Sequence, residues 1–217
     1  MENKKDLERS YSHREFAVRS PFNRGIFGTK QDEQRLIDKK DCYISVFDHS
    51  VNLPNYAESN NGSVAGYKGK VRFSQLAFDF DSNDLNESLT WTRELITKLV
   101  KEYEVNPEHL RYYFSGNKGF HLEIPAWMVD EEHEPSAEYP NILKAMVQEL
   151  TSHADLSLYQ TLRIYRINNT INSKTGLYKI ELKHDEIMSL TIEEIRKLAA
   201  THRLNDVTIF DHEKVRN

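Results

Sequence analysis

The stretch Val71-Arg72-Phe73-Ser74-Gln75-Leu76-Ala77-Phe78-Asp79-Phe80-Asp81 decides how this chain folds. Val71 and Phe73 share one parity, whereas Leu76, Phe78 and Phe80 share the other. Strand side chains alternate between faces, so a change of parity near Ser74-Gln75 predicts a β-bulge that re-aims the strand's end. Beyond it, Phe78 and Phe80 point into a core. Asp79 and Asp81 share the opposite face, with Cα atoms roughly 6–7 Å apart. Two carboxylates on one face suit a pair of divalent ions, because Mg²⁺ prefers oxygen ligands and often binds through carboxylates plus substrate phosphates. The same pattern also arises at an ordinary solvated strand end.

Downstream, Leu89, Leu95, Leu99 and Val100 recur at helical spacing, which predicts a helix over 86–103. Pro107 reopens the chain. Arg111 to Phe114 and Phe120 to Ile124 read as strands joined by Ser115-Gly116-Asn117-Lys118-Gly119. The glycines let the backbone turn tightly and approach a ligand, as phosphate-cradling loops require, while Lys118 adds charge and Ser115 a hydroxyl. Phe120, Leu122 and Ile124 share a face, so His121 points off the core, where it can donate to a phosphate. A lone histidine is also commonly structural. A helix over 139–152, strands near 163–167 and 177–182, and a helix over 191–200 follow.

Upstream, the first thirty residues lack a sustained period and read as an irregular arm. Residues 31–40 admit a helix around Leu36 and Ile37, and Cys42 to Phe47 is β-rich, ending at Asp48-His49-Ser50. Residues 51–66 carry Pro54, Asn60-Asn61-Gly62-Ser63 and Gly66, which are loop and turn signals. Strands and helices mixed in this order indicate an α/β or α+β domain.

A chain of 217 residues fits one globular unit, or one core with a smaller module against it. No apolar run approaches the ~20 residues that span a bilayer. Met1 to Asp6 lacks the apolar segment of a signal peptide, so the expectation is a cytoplasmic protein. A single cysteine, Cys42, excludes an internal disulfide and any multi-cysteine zinc cluster, and no motif makes it a nucleophile. The net charge of −5 argues at first against a nucleic-acid partner. Charge is segregated, however. Residues 160–183 set Arg163, Arg166, Lys174, Lys179 and Lys183 against Glu181 alone, whereas residues 128–138 hold only acidic charges.

That basic segment follows Asp155 and contains Arg163-Ile164-Tyr165-Arg166 and Asn172-Ser173-Lys174-Thr175-Gly176. Arginine forks and a lysine bind triphosphate oxygens well. The second stretch equally suits an ordinary hairpin.

The Asp-x-Asp strand, the Ser-Gly-x-Lys-Gly-x-His hairpin and a later Asp followed by Arg…Arg…Asn-x-Lys-Thr-Gly occur here in one order. As a set, over about residues 67–183, they resemble the archaeo-eukaryotic primase superfamily, most closely the primase-polymerases of plasmids, phages and other mobile elements. The resemblance implies an α+β protein with an RRM-like, antiparallel or mixed sheet as its catalytic core. A second small α/β module would lie against it, with the active site between them. Residues 1–66 would then form an N-terminal arm and part of the small module, 67–190 the catalytic core, and 191–217 a C-terminal helix and tail.

By the same resemblance Asp79, Asp81 and Asp155 match metal-binding carboxylates, although Asp155 sits in a poorly defined context. Ser115 and His121 match a motif that holds the incoming nucleotide's phosphates, with Gly116, Lys118 and Gly119 in the same turn. Arg166 and Lys174 match basic positions near the triphosphate, with Arg163 and Asn172 beside them. The implied reaction joins NTPs or dNTPs on a single-stranded DNA template and primer strand with two Mg²⁺ or Mn²⁺ ions. A helicase or other replication protein is an expected partner; zinc and a membrane are not. Many relatives carry a zinc module or fused helicase, for which this chain has neither the cysteines nor the length. Two other classes stay open: a metal-dependent nuclease using the same carboxylates, and a non-catalytic nucleic-acid-binding replication-initiation module. A decayed site should have lost at least one carboxylate, and all three are present.

Overall fold

A computed structural model describes residues 10–130 and 134–203. The Met1 to Asp6 segment, Glu131 and Glu132 of the acidic run, and the tail from residue 204 lie outside the described residues. In chain order the strands are β1 (Arg14–Ala17), β2 (Ile26–Gly28), β3 (Tyr43–Ser45), β4 (Asp48–His49), β5 (Val71–Arg72), β6 (Gln75–Asp81), β7 (Arg111–Phe114), β8 (Gly119–Pro125), β9 (Ile164–Arg166) and β10 (Ile180–Leu182). The helices are α1 (Asn52–Ser59), α2 (Leu85–Glu102), α3 (Ala126–Val129), α4 (Tyr139–Leu150), α5 (His184–Ser189) and α6 (Ile192–Leu198). Among the described residues, no helix is long and apolar enough to cross a membrane.

The architecture is α+β, with two four-stranded antiparallel sheets ordered β2-β1-β3-β9 and β10-β7-β8-β6, and a small β4-β5 ribbon. In the larger core, β6 and β7 are joined through α2, and β8 returns between them, which is a split β-α-β arrangement. Its apolar face carries Leu76, Phe78, Phe80, Phe120, Leu122, Tyr112 and Phe114, all buried. Leu89, Leu95, Ile96 and Leu99 of α2 cover that face in one continuous cluster. Asp84 caps α2 by accepting from the Asn86 N–H at 2.9 Å. The other face of the sheet is polar, and β9 of the smaller sheet lies across from it.

The parity switch within 71–81 has a different cause from the bulge the sequence predicts. Val71 and Arg72 pair with β4, and a separate strand begins at Gln75 and pairs with β8. One run of residues thus serves two sheets, and both parities are buried in one continuous core because the strand breaks between Arg72 and Gln75. The irregular arm expected at the N-terminus is instead a hairpin, β1 and β2. The stretch read as loop at 51–66 contains α1, where Leu53 and Ala57 bury one face and Pro54 falls in the first turn, the position proline tolerates. Helix α5 was not legible, and the 31–40 helix is a 3₁₀ helix over Lys30–Leu36. The predicted strand over 163–167 is β9. It joins the first sheet by pairing Ile44 with Tyr165, so that sheet draws on residues far beyond 66.

Candidate active site

Strand β6 ends with Asp79 and Asp81 on the polar face, backed by Phe78 and Phe80 in the core. The Asp155 N–H donates to the Asp79 carbonyl at 2.8 Å, so the third carboxylate arrives alongside the first two although it comes from a distant part of the chain. Asp155 also caps the short 3₁₀ helix Leu156–Leu158, accepting from the Ser157 N–H and hydroxyl, each at 2.8 Å. Tyr159 fastens this turn to β6 by donating to the Ala77 carbonyl.

Across the β6–β8 register, Asp79 faces His121 and Asp81 faces Gly119. His121 points away from the core as alternation requires, but it lands between the two sheets, beside Tyr165, and is 6% exposed. Burial, with Lys179 and Arg166 nearby, pushes its pKa well below the usual value, so the ring is neutral at pH 7. Its Nε2 lies 3.4 Å from Asp79 Oδ1. Gly119 meets a steric demand: a Cβ there would run into the Asp81 carboxylate and the Phe80 carbonyl. Gly119→Ala is therefore expected to cost roughly 1–3 kcal/mol, the range for overpacking, and to lower Tm by several degrees. Melting curves check this, and an unchanged Tm would mean that Asp81 is not pinned at this spot.

The Ser115–Gly119 turn is fixed by its own hydroxyl, since Ser115 Oγ accepts from the Gly119 N–H at 3.2 Å and the Asn117 N–H at 3.4 Å. Gly116, at φ +81°, rests against Leu177 and Tyr178, and its carbonyl accepts from Thr175 Oγ1 at 2.6 Å. The two glycine-containing stretches singled out in the sequence therefore touch. Lys118 Nζ lies 3.1 Å from Asp81 Oδ2, and Arg163 Nη2 lies 3.6 Å from Asp155 Oδ2.

The remaining basic candidates are placed differently. Arg166 is committed to the smaller sheet: it lies 3.0 Å from Asp41, donates to Tyr43 Oη at 3.0 Å and to the Ile171 carbonyl at 3.1 Å, and stacks over the Tyr43 ring. Asn172 is buried, and its side chain accepts from the Lys174 N–H at 3.0 Å. Lys174 itself is exposed.

Sequence reasoning counted Lys179 in the basic segment without assigning it to the site, and missed Glu123 and Tyr165, which lie between the two sheets with it. Lys179 is buried, donates to the Arg166 carbonyl at 2.9 Å, and has its ammonium 4.6 Å from the ring centres of both Tyr113 and Tyr165. Burial lowers its pKa to about 8, against the pull of Glu123 and Asp79. Tyr165 donates to Glu123 at 3.2 Å and accepts from Gln75 Nε2 at 2.6 Å, which ties β9 to β8 and β6 across the two sheets. Alternation along β8 points to Glu123, since it shares His121's face; Lys179 and Tyr165 carry no such signal.

The Asp79 carboxyl is pushed up to about 7, first by burial and then by the charges of Asp81 and Asp155. Among the described residues its Oδ1 is buried without a hydrogen-bond partner. Among the described residues, no three His, Cys, Asp or Glu side chains already form a ready-made metal cage. An unpartnered buried carboxylate oxygen beside two further carboxylates nevertheless fits a hard divalent ion, which needs few protein ligands when substrate phosphates complete its shell. Cys42, by contrast, is buried in the smaller module with its thiol pushed up by burial, which does not suit a nucleophile.

The chain matches no family model and no curated protein.

Proposed function

We propose that this chain is a template-dependent nucleotidyltransferase, a primase or polymerase of the archaeo-eukaryotic primase type, working between an RRM-like core and a smaller module. The observation that carries the reading is the meeting of Asp155 with Asp79 at the end of β6, opposite His121. Carboxylates from two separate stretches of chain converge at the edge of the polar face on which the second sheet packs. The split β-α-β of β6, α2, β7 and β8 supports an RRM-like core, with β10 added at the edge of β7.

Divalent ions held by Asp79, Asp81 and Asp155 would offset triphosphate charge and acidify the attacking 3′-hydroxyl. The oxygen of that hydroxyl bonds to the nucleotide's α-phosphorus, the bond to the bridging oxygen breaks, and pyrophosphate leaves. The residues contribute position and electrostatics. Neutral His121 donates one ring N–H to a phosphate oxygen without adding a cation to the site. Lys118 and Arg163 pair with Asp81 and Asp155, and their half-exposed side chains would turn toward a triphosphate. Lys174 is exposed enough to join them, whereas Arg166 holds Asp41 and orients the segment.

The test is a product assay on primed and unprimed single-stranded templates with labelled NTPs and dNTPs and Mg²⁺ or Mn²⁺. Template-dependent extension is expected. Shortened DNA without incorporation would make the carboxylates those of a nuclease.

A further inference from the structure

The hairpin joining β1 and β2 ends in Ser20-Pro21-Phe22-Asn23, and the Phe22 side chain is 91% exposed. Leaving a phenylalanine in water forgoes its burial energy, which makes a rigidly displayed one informative. The tip is held firmly. Asn23 Nδ2 donates to the Val18 carbonyl at 2.9 Å, the Asn23 N–H to the Ser20 carbonyl at 3.2 Å, and the Phe22 N–H to Ser20 Oγ at 3.2 Å.

The root is locked as well. Arg24 grips the buried Glu15 with two nitrogens, and Glu15 Oε1 also accepts from the Gly25 N–H at 3.1 Å. Arg24 Nη2 donates to the Leu162 carbonyl at 2.7 Å. The next residue is Arg163, which reaches Asp155. Phe22 therefore projects from an element tied to the rim of the carboxylate site.

The chemistry around it selects a partner. Residues 16–31 contain no acidic residue; of their cations Arg24 is committed to Glu15, whereas Arg19, beside the tip, and Lys30 are exposed. A protein-docking face needs a contiguous apolar patch; Phe22 stands between Ser20-Pro21 and Asn23. One aromatic among cations is the combination that binds single-stranded nucleic acid, with the ring stacking on a base and the cations facing phosphates.

We propose that Phe22 is a stacking platform for one base of a single strand running past the carboxylate site, with Arg19 facing the backbone. Its role as a template contact rests on the polymerase reading; the stacking itself does not. Anisotropy of a labelled oligothymidylate, measured without metal or nucleotide, tests the contact directly. Phe22→Ala should weaken binding roughly five- to 150-fold, the range for one lost stacked base, with Tm unchanged because the side chain is exposed. Phe22→Trp should keep the affinity and show quenched tryptophan emission on binding. Unchanged affinity in Phe22→Ala overturns the platform, even if the wild type copies templates. Weakened affinity in Phe22→Ala, with a wild type that copies no template, keeps the platform and removes the polymerase reading. Wild-type protein that ignores the oligonucleotide but binds anionic phosphatidylserine vesicles, or self-associates through Phe22 in sedimentation, also overturns it.

Discussion

Replacing Asp79 and Asp81 together by alanine is expected to lower nucleotide incorporation by on the order of 10³-fold or more while the protein stays folded. Metal-held charge stabilisation is worth several kcal/mol in the transition state, and each ~1.4 kcal/mol is a factor of ten. Stability should survive for reasons particular to this site. Both side chains leave β6 on the face opposite Phe78 and Phe80, so no core volume is lost. Among the described residues Asp79 Oδ1 has no hydrogen-bond partner and meets only the 3.4 Å approach of His121 Nε2, and Asp81 pairs with Lys118, whose side chain is 53% exposed and returns to water. Primer extension and a melting curve on the same preparation check both halves. Wild-type incorporation in the double variant would remove these carboxylates from the reaction, and an unfolded variant would make them structural.

The parts of this fold that were legible in sequence are those whose signal is local. Leu89, Leu95 and Leu99 repeat with the helix and are buried on α2; Phe120, Leu122 and Ile124 alternate with the strand and are buried on β8. The hidden parts depend on partners far along the chain. Arg14 and Glu15 look like residues of a solvated arm, yet both are buried. Asp48 and Ser74 satisfy Arg14, and Arg24 satisfies Glu15. Charges bury only when paired, and no window of sequence around residue 14 contains the pairing. The site divides in the same way. Asp79, Asp81 and His121 declare themselves through period-2 alternation. Lys179 and Tyr165 acquire their places only when β9 crosses to the smaller sheet and brings the two polar faces together.

Asp79→Asn is expected to stabilise the metal-free protein at pH 8, by less at pH 5, and to leave it unchanged only below about pH 4. The Asp79 carboxyl is held at about 7 in the fold, by burial and by Asp81 and Asp155, against about 3.9 in an unfolded chain. Between those values the folded state keeps a proton that the unfolded state has lost. Stability therefore falls as pH rises from about 4 to about 7, and stays at the lower level above that. Three units would correspond to about 4 kcal/mol. With 19% of the side chain still exposed to water, about half of that is the reasonable expectation, a Tm gain of roughly 4–8 °C for a chain of this size. Other groups titrating in the same window act in both proteins, so the difference between variant and wild type isolates Asp79. The same destabilised carboxylate is what a divalent ion would relieve. Millimolar Mg²⁺ or Mn²⁺ should raise the wild-type Tm at pH 8 and raise that of Asp79→Asn far less, because an amide offers a weaker ligand and carries no charge to neutralise. Parallel pH dependences for the two proteins would show that the Asp79 charge is not held at a cost. Equal responses to the ions would place any binding away from β6.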